Sequence, residues 1–98
     1  MGVEANKEIR RAVDTGIVAF GYRECQKKLL IGKGEMLIVS KNIPLNDKET
    51  LKQIATIEGK KYYEYPETGL VLGSVCGKPF VVSAMLILEA GKSKVLEI

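Results

Sequence analysis

Apolar residues along this chain recur alternately with the period of a helix and in short unbroken runs, and the alternation repeats four times. From Val3 to Asp14, Ala5, Ile9, Ala12 and Val13 fall at helical spacing, with Lys7, Glu8, Arg10 and Arg11 on the other side. Thr15-Gly16 stops the segment, and Ile17 to Phe20 then has the pattern of a buried strand. Gly21 breaks that strand. Tyr22 to Ile31 predicts a second helix, with Cys25 and Leu29 one turn apart and Gln26 and Leu30 beside them. Gly32-Lys33-Gly34 ends it, and Met36 to Val39 predicts another buried strand.

Ser40 to Leu45 reads as a loop stiffened by Pro44. Asn46 with Glu49 has the spacing of a capping box, so the third helix is expected to start there, with Leu51, Ile54 and Ala55 as its apolar stripe and Gly59 as its stop. Lys61 to Tyr65 predicts a third strand, closed by Pro66. Thr68 is placed to cap a short fourth helix through Cys76, ended by Gly77 and Pro79. Phe80 to Leu88 predicts a long fourth strand, and Val95 to Ile98 a last short one after a turn at Gly91. Alternating helices and apolar strands imply one sheet covered by helices on both faces. A chain that starts in a helix and closes on a segment of different length favours a mixed sheet.

Composition adds bounds to this picture. Ninety-eight residues fit one domain, 1–98, and 46% hydrophobic content is enough for a core. The segment from Met1 to Arg11 is polar, unlike a secretory leader. Gly2 follows Met1, but Asn6 stands where a myristoylation signal has Ser or Thr. The longest apolar run, Phe80 to Leu88, is about half of what a membrane helix needs. The expectation is a cytoplasmic protein with no membrane partner. Cys25 and Cys76 are far apart in sequence, and buried thiols are expected rather than a disulfide. A net charge of +3 hints at an acidic partner.

Catalytic chemistry has little to stand on. There is no histidine, which removes the commonest general acid/base and metal ligand. Gly32-Lys33-Gly34 resembles part of GxGxxG, but Leu37 replaces the third glycine and a strand follows instead of preceding. Gly77-Lys78 resembles the end of a phosphate-binding loop, but Pro79 replaces the Ser or Thr that would reach a metal. Both read as helix stops, and no cofactor is expected.

Three loops carry more. In Phe20-Gly21-Tyr22-Arg23 a strand hands over to a helix, whose N-terminus presents free N–H groups and partial positive charge. Gly21 permits close backbone approach, and Arg23 is locally unfavourable there unless a phosphate answers it; Lys27 follows one turn on. Lys41-Asn42 lies just past the end of a strand, where an amide can donate and accept at a base edge. Lys78-Pro79-Phe80-Val81-Val82-Ser83 leads into the last long strand, and an exposed Phe80 would stack on an unpaired base. Singly, these segments also read as an ordinary strand–helix turn, an Asx-type turn before Pro44, and a core phenylalanine.

Taken in order, Phe20-Gly21-Tyr22-Arg23, Met36-Leu37-Ile38-Val39 leading into Asn42-Ile43-Pro44, Leu72-Gly73, and Gly77-Lys78-Pro79-Phe80-Val81-Val82-Ser83 resemble the archaeal and eukaryotic large-subunit ribosomal protein family numbered thirty, within the superfamily of kink-turn RNA binders. Arg23 stands where eukaryotic members often have Lys, and Ser83 where they often have Gly. The resemblance implies an α/β fold, a three-layer α/β/α sandwich with a four-stranded mixed sheet. It implies a non-enzymatic large-subunit constituent, monomeric when free, that binds ribosomal RNA at a kink-turn with tandem sheared G·A pairs. By the same resemblance Gly21 and Arg23 approach RNA backbone and a guanine edge, Asn42 a base of the G·A pairs, and Phe80 with its neighbours Val81 and Val82 an extruded base. The alternative roles are a kink-turn binder of another ribonucleoprotein, a ribosome-associated factor, or, more distantly, a small α/β enzyme using a cysteine.

Overall fold

The computed structural model describes residues 4–98; the expected helix start at Val3 lies outside them, as does Gly2. The elements are α1 (Ala5–Thr15), β1 (Ile17–Phe20), α2 (Tyr22–Leu30), β2 (Met36–Val39), α3 (Leu45–Ile57), β3 (Lys61–Glu64), α4 (Gly69–Val75), β4 (Ala84–Glu89) and a closing 3-10 turn, Val95–Glu97. The four strands form one sheet in the order β1-β4-β2-β3. β2 and β3 run parallel, while β4 is antiparallel to both β1 and β2. The sheet is therefore mixed, as expected.

Side chains alternate across it with the two-residue period of a strand. Met36, Ile38, Met85 and Ile87 pack with Ile9 and Ala12 of α1 and Leu72 of α4. Leu37, Val39, Ala84 and Leu86 pack with Cys25 and Leu29 of α2 and Leu51 and Ala55 of α3. Two half-cores thus lie on opposite faces, giving the three layers. Cys25 sits in one and Cys76 in the other, so the sheet keeps the two free thiols apart.

Five expectations change. β1 is an edge strand with Ile17 exposed, because only β4 pairs with it. α3 starts at Leu45, with Pro44 as its N-cap and no side-chain cap, so the Asn46–Glu49 box does not form; the fixed φ of Pro44, −54°, already sets the entry angle. β4 begins at Ala84 rather than Phe80. Residues 80–83 instead lie along α4, where the Val82 N–H donates to the Gly69 carbonyl. The closing segment is a 3-10 turn and not a strand: β4 is already paired on both sides, and the tail turns back onto α1. Glu8, placed by periodicity on the outer face of α1, is buried, because its Oε1 accepts the Lys94 N–H at 2.8 Å and pins that tail.

Candidate nucleic-acid interface

β2 ends and β4 begins at the same end of the sheet, since Val39 pairs with Ala84. Three connections meet there. Gly21 sits between β1 and α2 with φ of 94°, a conformation glycine adopts without strain. Its N–H donates to the Ala84 carbonyl at 2.9 Å, and nothing lies within 4 Å of where a Cβ would stand. The space before Gly21 is open to a partner, and no side chain caps the N-terminus of α2.

Beside it, the Ser40 N–H donates to the Ser83 carbonyl at 2.9 Å, joining the β2 end to the arm before β4. Lys41 follows, exposed, its N–H on the Glu67 carbonyl at 2.8 Å. Asn42 Oδ1 accepts the Gly69 N–H at 3.0 Å and the Ser40 hydroxyl at 3.1 Å. A backbone donor identifies that atom as the oxygen. The acceptor is thus spent inside the protein, and Nδ2 is left as a donor. The residue type offers a donor and an acceptor together; the fold leaves Asn42 only the donor.

The arm completes the rim. A Cβ on Gly73 would stand 2.1 Å from the Phe80 carbonyl oxygen, so only glycine lets the arm lie flat on α4. Phe80 and Val81 then project outward, 50% and 59% exposed, while Val82 turns inward at 1%. Val82, expected among the contact residues, is instead a core side chain, with its N–H donating to the Gly69 carbonyl. The Phe20 and Phe80 rings meet edge to face at 6.1 Å, with Lys78 Nζ 5.3 Å from the Phe20 centroid. Arg23 is exposed in the first turn of α2, and neither it nor Lys41 has an ion-pair partner among the described residues. Tyr22 is half-buried against the α2–α3 half-core. Lys27 is exposed in the last turn of α2. Lys28, with Lys33, Ile17 and Leu88, lines a depression at the opposite end of the sheet.

Sequence reasoning missed two rim residues, Leu70 and Val71, exposed in the first turn of α4 beside the arm. The Thr68 cap, whose hydroxyl accepts the Val71 N–H at 3.4 Å, was the available signal that this turn faces outward. The cysteines offer no nucleophile. Burial pushes the Cys25 thiol up to about 12 and the Cys76 thiol up to about 11, the latter against the opposing pull of Lys78 and Arg10.

Residues 3–97 match the ribosomal protein L7Ae/L30e/S12e/Gadd45 family. The chain belongs to this family. Among curated relatives, it is 40% identical over 96 residues to large ribosomal subunit protein eL30 of Methanocaldococcus jannaschii, covering 98% of this chain and 87% of that one. It is 40% identical to eL30 of Methanothermobacter thermautotrophicus over 95 residues, covering 97% of each. To eL30 of Methanopyrus kandleri it is 37% identical over 93 residues, covering 95% of this chain and 85% of that one. Membership in this ribosomal protein family agrees with the fold, and the matched span takes in the whole rim.

Proposed function

We propose that this chain is a constituent of the large ribosomal subunit, acting as one domain over residues 1–98, that holds ribosomal RNA at a kinked internal loop. The observation that carries the proposal is the meeting of Gly21, Asn42 and Phe80, distant in sequence, on one basic rim. Each offers a different contact. The open N-terminus of α2, with Gly21 before it and Arg23 in its first turn, suits a phosphate and a guanine edge. The Nδ2 donor of Asn42 suits a base acceptor of the G·A pairs. Phe80 and Val81, with Leu70 beside them, suit a base turned out of the stack. Lys41 and Lys78 supply backbone contacts, which give affinity rather than specificity. The protein works in the cytoplasmic ribosome as a binder without catalysis and is a monomer when free, which light scattering checks directly.

A gel-shift series with a kinked ribosomal RNA and a straight duplex tests the reading. The kinked RNA should bind at least tenfold more tightly, and Asn42→Ala should remove most of that preference, a loss of about 1–3 kcal/mol. Lys33→Ala, at the opposite end, should leave both affinities unchanged. Equal affinity of the wild type for both RNAs would reject the proposal.

A further inference from the structure

We propose that Arg10 of α1, together with Gly77 and Lys78, forms a second anion seat that takes a phosphodiester of the bound RNA, one step beyond the rim. This rests on the RNA-binding reading above.

Arg10 is oriented from one side only. Its Nε donates to both carboxylate oxygens of Asp14 at 3.1 Å, one turn along the exposed face of α1. The Nη1 and Nη2 hydrogens have no protein acceptor among the described residues. Those two nitrogens rest against Gly77. A Cβ at that position would stand 2.7 Å from Nη1 and 3.1 Å from Nη2, so any side chain at 77 would push the guanidinium away. The next residue, Lys78, carries its Nζ to 5.3 Å from the Phe20 ring centroid, and Phe20 meets Phe80. A continuous strip therefore runs from Arg10 over Gly77 to Lys78 and onto the rim.

The chemistry of the strip fits a phosphate. A guanidinium whose Nε is already tied presents its remaining N–H groups as a planar fork, which matches two phosphate oxygens. Because Asp14 holds the group in place, less side-chain freedom is lost on binding. Half of the Arg10 side chain is exposed, so an RNA strand leaving the rim reaches it without rearrangement. The contact is to backbone and reads no base.

The experiment measures affinity for the kinked RNA against salt for the wild type, Arg10→Gln, Arg10→Lys and Lys33→Gln. Loss of one phosphate contact should lower the slope of log K against log salt by about 0.7–0.9. Arg10→Gln should show that drop, with binding weakened about three- to tenfold and the preference for kinked over straight RNA intact. Arg10→Lys keeps the charge and loses the fork, so it should keep the slope and recover part of the affinity. Lys33→Gln removes the same charge at the far end and should change neither. An unchanged slope in Arg10→Gln, or an equal drop in Lys33→Gln, overturns the seat. As a second arm, inorganic phosphate is titrated at matched ionic strength while the Arg10 Nε–H resonance is followed. Saturable binding there with no change of RNA salt slope in Arg10→Gln would assign the seat to a free anion and also overturn the proposal. Failure of the RNA-binding reading looks different, because the wild type itself would then show no preference for kinked RNA.

Discussion

Phe80, Val81 and Val82 are three consecutive apolar residues with two separate tasks. Phe80 and Val81 are about half exposed, whereas Val82 is sealed among Leu72, Met85 and their neighbours. Truncation should separate the tasks. Val82→Ala leaves a cavity and should cost about 1–3 kcal/mol in a denaturant titration, with RNA affinity at saturating folded protein unchanged. Phe80→Ala removes an edge contact with Phe20 and should lower stability by less than about 1 kcal/mol. Its RNA binding should weaken by about 1–3 kcal/mol, the worth of a stacked base. The three residues were legible in sequence as an apolar run, but a run carries no sign of which member turns outward. That orientation comes from the hydrogen bond between the Val82 N–H and the Gly69 carbonyl.

α4 is short, and glycines at 69 and 73 occupy two of its seven positions. By helix propensity alone, Gly73→Ala should stabilise it by about 1 kcal/mol. The added methyl would meet the Phe80 carbonyl oxygen at 2.1 Å, which neither α4 nor the arm can absorb without moving. Overpacking costs of about 1–3 kcal/mol outweigh the propensity gain. The variant should therefore melt lower than the wild type, and displacement of the arm should weaken RNA binding as well. A higher melting temperature for Gly73→Ala would show that the arm does not lie where this packing requires. The same packing explains why the long fourth strand expected from Phe80 starts only at Ala84: four of its residues are used to cover α4.

Across the whole molecule, the two ends of the chain are joined through one carboxylate. Glu8 accepts the Lys94 N–H and the Ser93 hydroxyl, and Val95 then fills the core under α1. The Lys94 N–H bond holds the Glu8 carboxyl below its ordinary value of 4.5, against burial, which raises it. A carboxyl depressed in the folded state stabilises the fold above its unfolded value, and that contribution is lost as pH falls through the folded value. The melting temperature should therefore hold near neutrality and drop as the pH falls below about 4.5. Glu8→Gln should melt lower at neutral pH and lose less on acidification. Some acid sensitivity should persist, because the Glu64 carboxyl is also held low by its hydrogen bond from Lys48. An identical acid profile in Glu8→Gln would rule out this linkage.

The order of the four helices and four strands and the positions of the first three strands follow from the residues alone, because the periods of a helix and a strand are properties of the local backbone and show up in a dozen residues. The glycine stops at Gly32 and Gly77 and the Thr68 cap are local in the same sense. Long-range pairing settled the rest. Which strand lies at an edge, why Glu8 points inward and where the tail goes depend on partners up to 86 residues away. The rim belongs with these. Asn42 became a pure donor because Gly69, 27 residues on, takes its oxygen. No local pattern encodes that meeting; it exists only once the sheet brings the end of β2 and the start of β4 together.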